Sequence, residues 1–301
     1  MKQPYGYYGG KQRMASKIIP LMPKHTVYVE PFFGGGSIFW GKPWPDVKNT
    51  DHYREVINDM NSELINFMRC LQDKGSFEEL QHRLMFTPYS EEEHTLAIKI
   101  YKNPVDYTKI DRAWAWFVNA NCSFTNKING GWGRTLFGRN QAATWVNKLD
   151  LHEFYGRLVS THITHQDAVI CLEQWNSPQS FAYIDPPYVG TEQGHYSGYS
   201  EQDLERLVEF LDKEWQGSFI LSSYDTEIIN SRGWEKIEIE TTCSAKRRVG
   251  YDRSKACDES EQKRKRVECL WMRENTVPVR KELQKLYDEG KFDCFKGWEK
   301  K

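Results

Sequence analysis

The sequence lacks several features that define common protein classes. It has no apolar run of about 18 residues and no apolar N-terminal segment, so we expect neither a membrane-spanning nor a secreted protein. Its seven cysteines form no Cys-x-x-Cys pair and are odd in number, which argues against a zinc ribbon or a disulfide framework. We therefore predict no metal site and a reducing, cytoplasmic environment.

An excess of positive charge is also missing, since 41 Lys and Arg residues face 42 Asp and Glu residues. This balance excludes a histone-like polycation but leaves a local nucleic-acid site open, because binding depends on where charges cluster. Negative charge is absent from one stretch. Residues 112–149 contain no Asp or Glu, five basic residues and four tryptophans.

Short apolar runs alternate with segments of helical spacing along the 301 residues. The helical candidates include residues 61–71 and 200–211, both of which begin with a capping residue. The predicted strands cover 26–30, 56–59, 181–184, 218–222, 237–240 and 267–271. This alternation predicts a mainly parallel α/β sheet, with the last strand as a candidate antiparallel partner, and the basic, aromatic middle predicts an inserted lobe.

The first candidate site follows the first predicted strand, in the sequence Glu30-Pro31-Phe32-Phe33-Gly34-Gly35-Gly36-Ser37. A glycine turn lets a ligand approach backbone amide groups, and Asp59, at the end of the next strand, could bind two ribose hydroxyls. The full Gly-x-Gly-x-x-Gly fingerprint is absent because residue 39 is Phe, which favours another adenosine-containing cofactor over a nicotinamide dinucleotide. A purely structural strand-to-helix turn is the alternative.

The second candidate site is the tetrad Asp185-Pro186-Pro187-Tyr188, directly after a predicted strand. Its two prolines fix the backbone and remove two amide donors. The Asp185 carboxylate and the Pro186 carbonyl could accept the two amino hydrogens of a planar base, and Tyr188 could stack on its ring. Ligands of α/β proteins bind at such strand ends, which favours a functional site over a structural turn capped by Asp185.

These motifs, taken in order, resemble those of the Dam-type DNA N6-adenine methyltransferases. One departure is Tyr7, which stands where the family often has Trp. The resemblance spans nearly the whole chain. Its segments are the aromatic-x-Gly-Gly-Lys motif at 7–11, the S-adenosylmethionine loop at 29–37, the acidic second-strand motif at 57–61, a short acidic motif at 165–167, the catalytic motif at 181–188 and a late basic segment at 264–270.

The resemblance implies the class I S-adenosylmethionine-dependent methyltransferase fold, a Rossmann-like, mainly parallel sheet with an inserted, mostly helical target-recognition lobe. Residues 1–63 and 151–301 would form the catalytic domain, and residues 64–150 the DNA-binding insertion. The expected cofactor is S-adenosyl-L-methionine, with S-adenosyl-L-homocysteine as product. The implied partners are double-stranded DNA and, as a second candidate, a cognate restriction endonuclease. We expect a monomer acting in the cytoplasm of a prokaryotic or phage-infected cell.

The implied reaction is methyl transfer to N6 of an adenine flipped out of the duplex. The resemblance assigns catalysis to Asp185, Pro186 and Tyr188. It also assigns a set of cofactor-binding residues, with Asp59 on the ribose hydroxyls and Asp167 on the adenine. That set is Tyr7, Lys11, Glu30, Phe32, Gly34, Gly36, Asp59, Asp167 and Asp185.

The acid-free segment is the candidate for DNA contact, with a solvated basic face as the alternative. Basic side chains could meet phosphates or guanine edges, and Asn126, Asn129 or Asn140 could read adenine. We interpret Trp114 and Trp116 as core. The predicted DNA-binding residues are Asn126, Lys127, Trp132, Arg134 and Arg139. For the charged stretch 245–266, a solvated loop is favoured over a second DNA-contacting loop.

Three other functions stay open at this point. An RNA N6-adenine methyltransferase is the nearest, because Asp-Pro-Pro-Tyr also occurs in rRNA-modifying enzymes, although the basic, aromatic insertion favours DNA. A catalytically silent DNA-binding protein is a second alternative, which the intact tetrad and glycine turn disfavour. A nicotinamide-dependent oxidoreductase is disfavoured by the incomplete fingerprint.

Overall fold

A seven-stranded sheet runs through the part of the protein that the computed structural model describes, residues 1–7, 9–43, 53–134, 140–189, 199–242 and 265–275. The strands are β1 Val27–Glu30, β2 Arg54–Asn58, β3 Thr161–Thr164, β4 Ser180–Ile184, β5 Ser218–Ser223, β6 Glu235–Thr242 and β7 Lys265–Arg273. Their order across the sheet is β3-β2-β1-β4-β5-β7-β6. The first five are parallel, and β7 runs antiparallel between β5 and β6. The predicted mainly parallel sheet is confirmed.

Helices cover both faces of this sheet. Their bounds are α1 Ala15–Ile18, α2 Ser37–Gly41, α3 Ser62–Gln72, α4 Lys74–Met85, α5 Glu91–Lys102, α6 Lys109–Cys122, α7 Gln141–Val146, α8 His152–Leu158, α9 Ala168–Gln174, α10 Glu201–Lys213 and α11 Glu227–Asn230. Side chains alternate along each strand, so each strand contributes residues to the apolar cores on both faces of the sheet. Tyr183 faces the core shared with α1–α6 and α8, and Ala182 faces the core shared with α9–α11.

Local side-chain chemistry explains where the main helices begin. The Asn61 side chain accepts hydrogen bonds from the backbone N–H groups of Glu63 and Leu64, at 3.0 and 3.2 Å. Ser200 and Asp203 form a capping box at the start of α10, as the sequence predicts. A second capping box starts α6, and removing such a cap costs about 1 kcal/mol.

The helices between β2 and β3 pack directly on the sheet. Trp114 and Trp116 of α6 are buried, which confirms their interpretation as core. Phe67 of α3 and Phe181 of β4 belong to the same apolar cluster. The predicted boundary at residue 63 falls within α3, so the limits of the recognition lobe stay a prediction.

Among the helices within the described ranges, none combines the length and the apolar character that crossing a membrane requires.

Candidate active site

The five parallel strands end at one edge of the sheet, and this edge collects the polar residues that the sequence singles out. Glu30 ends β1, Asp59 follows β2, Asp185 follows β4 and Ser222 lies near the end of β5. The carboxyl edge is where α/β sheets bind ligands.

The glycine turn after β1 has a fixed, left-handed backbone. Gly34 and Gly36 have φ angles of 46° and 59°, and a Cβ atom at Gly36 would lie 2.4 Å from the Phe33 ring. The Gly34 carbonyl accepts a hydrogen bond from the Tyr5 hydroxyl at 2.9 Å. Both the backbone angles and the crowding therefore require glycine at residue 36.

Asp59 connects the end of β2 to this turn. Its carboxylate accepts hydrogen bonds from the backbone N–H groups of Gly34, at 2.7 Å, and Asn61, at 2.8 Å. Burial raises the pKa of Asp59, and these backbone donors offset part of that rise. A carboxylate has about four acceptor positions, so Asp59 keeps capacity for ribose hydroxyls.

Two other predicted cofactor residues make contacts within the protein. Glu30 is buried and accepts hydrogen bonds from the Tyr28 hydroxyl, at 2.6 Å, and from the Phe39 N–H, at 3.2 Å. Burial raises its pKa to about 8, so this carboxyl is largely protonated at neutral pH. Asp167 caps α9 and forms an ion pair with Arg206. A contact of either residue with the cofactor stays a prediction.

Two aromatic residues assigned to the cofactor flank the glycine turn. Tyr7 lies against it, since a Cβ atom at Gly35 would approach the Tyr7 Cβ to 3.0 Å. Phe32 is half-buried and meets the Tyr199 ring edge-on, with 5.8 Å between the ring centroids. Both positions are compatible with a ligand on the turn.

Lys11 lies with the catalytic tetrad. Its Nζ atom is 3.0 Å from Asp185 Oδ1 and 3.1 Å from Glu268 Oε1. It also donates a hydrogen bond to the Tyr188 hydroxyl at 2.5 Å. We call Lys11, Asp185 and Glu268 the site cluster. The cofactor role predicted for Lys11 is untested by this arrangement.

The Tyr188 hydroxyl completes the site cluster's hydrogen bonding. It contacts Glu268, and it lies 3.2 Å from Ser222 Oγ and 3.3 Å from Asp185 Oδ1. The Lys11 ammonium lies 4.6 Å from the centroid of the Tyr188 ring, and Tyr224 meets that ring at 4.4 Å. Tyr188 is 8% exposed, so a base that stacks on its ring must first displace a neighbouring side chain.

Burial and charge set the protonation of the site cluster. Burial raises the pKa of Asp185; Lys11 offsets part of that rise and Glu268 adds to it. Burial alone lowers the pKa of Lys11, but Asp185 and Glu268 raise it above its ordinary value. Lys11 therefore stays protonated and shares its single positive charge between two carboxyl groups.

The sequence motifs did not identify Glu268 and Ser222 as site residues. Strand β7 runs antiparallel to β5, so its first residues lie at the carboxyl edge of the parallel strands. Alternation then places Glu268 on the same face as Leu270, which faces the core that contains Tyr183. The predicted antiparallel last strand indicated that one end of this strand lies at the carboxyl edge. Only the register of its pairing with β5 identifies Glu268 as the residue at the site.

Four of the five predicted DNA-binding residues lie in the described part of the loop after α6. Lys127 and Arg134 are exposed, and Asn126 is half-buried with a φ angle of 56°. Trp132 packs on Tyr89, with 4.4 Å between ring centroids. Arg139 lies outside the described residues, as do residues 245–264 of the charged stretch.

Among the described residues of this loop, Phe124 is an exposed aromatic side chain, with 58% of its surface accessible. Two basic residues of the acid-free segment are already engaged within the protein. Arg112 pairs with Glu63 at 2.5 Å, and Lys148 donates a hydrogen bond to Asn121 at 2.6 Å. The surface available to DNA is therefore smaller than the acid-free segment suggests.

Comparison with known proteins found a family match over most of the chain and several relatives. Residues 7–232 match the family model of the D12 class N6 adenine-specific DNA methyltransferases. A DNA N-6-adenine-methyltransferase of Escherichia phage P1 is 27% identical over 228 residues, which cover 72% of this chain and 29% of the relative. The type II methyltransferase M.CviBI of Paramecium bursaria Chlorella virus NC1A is 25% identical over 217 residues, which cover 70% of this chain and 78% of the relative.

A third relative is the type II methyltransferase M1.LlaDCHI of Lactococcus lactis subsp. cremoris, 23% identical over 270 residues that cover 79% of this chain and 88% of the relative. This chain thus spans less than a third of the phage P1 relative and most of the other two. The family match covers most of the chain and confirms the predicted family and its class I methyltransferase fold. The chain belongs to the D12 class N6 adenine-specific DNA methyltransferases.

Proposed function

We propose that this protein transfers a methyl group from S-adenosylmethionine to N6 of adenine in duplex DNA, leaving S-adenosylhomocysteine. One observation carries the proposal. In a chain of the D12 family, the Asp185 carboxylate stands at the end of β4, next to the glycine turn that ends β1, and its side chain is reachable from solvent. A methyl donor on the turn and a base at Asp185 would be neighbours.

The residues present fit S-adenosylmethionine. The glycine turn offers close backbone approach, and Asp59 keeps acceptor capacity for ribose hydroxyls. The two carboxyl groups of the site cluster suit a sulfonium cation. When bound, the cofactor supplies an electrophilic methyl group on a positively charged sulfur. Contacts of Tyr7, Phe32 and Asp167 with it belong to this proposal.

Asp185 and Pro186 would activate the target amine. The lone pair of adenine N6 is delocalised into the ring, which makes it a poor nucleophile. Hydrogen bonds from the amino group to the Asp185 carboxylate and the Pro186 carbonyl favour the pyramidal form in which that lone pair is localised. Such acceptors lower the barrier when they bind the transition state more strongly than the ground state.

The target base must leave the duplex to reach Asp185, which costs a few kcal/mol. Stacking on Tyr188 offsets part of that cost, by about 1–3 kcal/mol per base. The loop after α6 would contact the DNA through Lys127 and Arg134, with Phe124 as its exposed aromatic side chain. Asn126, Trp132 and Arg139 stay predictions.

The setting of the reaction is also part of the proposal. A viral relative and a bacterial relative carry the name type II methyltransferase, which supports a cytoplasmic location where DNA is accessible. A cognate restriction endonuclease and action as a monomer stay predictions.

The decisive experiment measures transfer of labelled methyl groups from S-adenosylmethionine to unmethylated duplex DNA, followed by digestion to nucleosides. We expect labelled N6-methyldeoxyadenosine from the wild-type protein and roughly 10²–10³-fold slower labelling by the matched variant Asp185→Asn. Label in structured RNA and none in DNA would favour the RNA methyltransferase. Cofactor binding without label in either would favour a silent DNA-binding protein.

A further inference from the structure

In the structure, one oxygen of the carboxylate that must receive the target amine, Asp185 Oδ1, already has two partners. Lys11 Nζ lies 3.0 Å from Asp185 Oδ1, and the Tyr188 hydroxyl lies 3.3 Å from the same oxygen. An ammonium ion on this oxygen competes directly with the amino group of a base. For both oxygens of Asp185 to be available to the base, Lys11 needs another partner when the base enters.

Glu268 is that partner. Its Oε1 atom lies 3.1 Å from Lys11 Nζ, contacts the Tyr188 hydroxyl and accepts a hydrogen bond from Ser222 Oγ at 3.1 Å. Glu268 is therefore fixed by three neighbours, and the ammonium already touches it. When Lys11 leaves Asp185, its ammonium group keeps a carboxylate partner in Glu268 and does not have to move far.

We infer that Glu268 is a positioning residue that holds Lys11 and the Tyr188 hydroxyl, so that Asp185 is free to accept the amino group of the target base. This inference rests on the proposed function. It assigns Glu268 no contact with the base, and it makes Lys11 the group through which Glu268 acts.

The charged and titratable groups around Asp185 come from four elements of the fold. They are Lys11 of the N-terminal segment, Glu30 of β1, Tyr183 and Tyr188 at and after β4, and Glu268 of β7. Of the facing groups, Glu268 adds the negative charge that raises the pKa of Asp185 further, and Lys11 opposes it. Removing the Glu268 charge should therefore lower the pKa of Asp185.

The kinetic test uses Glu268→Gln, which keeps the shape of the side chain, and Glu238→Gln as control. Glu238 is an exposed carboxylate on neighbouring β6 that pairs with Lys236 at 2.9 Å. We expect Glu268→Gln to lower kcat/KM for DNA about 10-fold, as coupled neighbours can. The acid limb of its pH profile should move to lower pH, and the conservative Glu268→Asp should recover part of the rate. The control should match wild type.

A double-mutant cycle tests whether Lys11 transmits the effect. In a Lys11→Met background, the Gln substitution at residue 268 should cost less than about twofold, because the group it positions is gone. An equal loss in both backgrounds, or an unshifted acid limb, overturns the inference and leaves the proposed function intact.

A chemical measurement that needs no activity separates the two proposals. Acetic anhydride labels free amines, and mass spectrometry can follow its reaction with Lys11. Losing Glu268 lowers the pKa of Lys11, so labelling in Glu268→Gln should be several-fold faster than in wild type or the Glu238→Gln control. Equal labelling rates overturn the inference even if the wild-type protein methylates nothing.

Discussion

Two clusters of buried charge lie on the same face of the sheet, in opposite proportions. The site cluster has one cation and two carboxylates, with side-chain exposures of 11% for Lys11, 20% for Asp185 and 13% for Glu268. What we call the core cluster has two cations and one carboxylate, with exposures of 3% for Lys42, 5% for Glu55 and 1% for Arg157. One is open to a ligand, and the other is sealed.

The difference follows from the ends of the strands. Glu55 lies near the start of β2, at the amino edge, where Arg157 and Lys42 surround it. Burial alone would raise its pKa, but the two cations lower it below its ordinary value. Asp185 follows β4 at the carboxyl edge, where one ammonium faces two carboxylates and its pKa is raised. The Glu55 carboxylate is therefore paired with two cations inside the core, where it stabilises the fold. The Asp185 carboxyl group shares one ammonium with Glu268 and remains available to a ligand.

The largest expected effect is on the core cluster. Glu55→Gln leaves Lys42 and Arg157 buried without a counter-charge, and we expect a loss of about 3–5 kcal/mol in the free energy of unfolding. Chemical denaturation measures this loss, and methyl transfer by the remaining folded fraction should be unchanged. A variant as stable as wild type would show that the core cluster does not hold the sheet.

The site cluster should respond in the opposite way. Asp185→Asn should lower kcat roughly 10²–10³-fold, because an amide accepts the target amine less strongly and no longer balances Lys11. Its melting temperature should stay within a few degrees of wild type, since the side chain is partly exposed. Retained activity with retained folding would exclude Asp185 as the acceptor.

Glu30 lies on the same face and is a third buried carboxyl group for comparison with Glu55 and Asp185. Within the described residues, its hydrogen-bond partners are the Tyr28 hydroxyl and the Phe39 N–H, and neither is a cation. Its folded-state pKa of about 8 lies above the ordinary 4.5, because burial raises it. The folded protein thus keeps a proton that the unfolded chain loses, so stability should fall as pH rises from about 4.5 to 8, by at most about 1.4 kcal/mol per unit.

The variant Glu30→Gln should remove this slope and increase stability at pH 8, since the amide oxygen still accepts from Tyr28 and Phe39. Melting temperatures across this pH range test the expectation. Calorimetric titration with S-adenosylmethionine adds a second readout. A large loss of affinity in this variant would support the predicted cofactor role of Glu30 over the structural one.

The smallest expected effect belongs to a cation outside both clusters. Arg134 is exposed, so Arg134→Ala should leave stability unchanged and weaken DNA binding about equally for all duplexes if the residue contacts phosphate. The slope of log K against log salt should fall by about one. Loss confined to one DNA sequence would instead indicate a base contact.

The sequence predicted those features that depend on neighbouring residues. The strand expected at 181–184 is β4 Ser180–Ile184, and the helix expected from Asn61 begins there. The caps of α3 and α10 are local hydrogen bonds, and the central strands are short apolar runs. The family could also be identified from the sequence, because each of its motifs is a short segment and their order along the chain is visible without the structure.

Contacts between distant segments were not predictable in the same way. Trp132, predicted as a DNA contact from its flanking glycines, packs on Tyr89, and Phe124 is exposed although no sequence feature singled it out. Lys11, which the resemblance assigns to the cofactor, also pairs with Asp185, 174 positions away in the sequence, and with Glu268. No pattern of neighbouring residues indicates that Trp132 contacts Tyr89 or that Lys11 contacts Asp185 and Glu268.

The sequence by itself determined the strand–turn–helix order, the capped helix starts, the glycine turn and the tetrad, because hydrophobic spacing, caps and backbone restrictions act within a few residues. Only the tertiary structure decided which charges meet. The antiparallel register of β7 against β5 brings Glu268 to the carboxyl edge, where Lys11 and Asp185 already stand. That meeting depends on the pairing of strands far apart in the chain, and a local pattern cannot encode a distance between them.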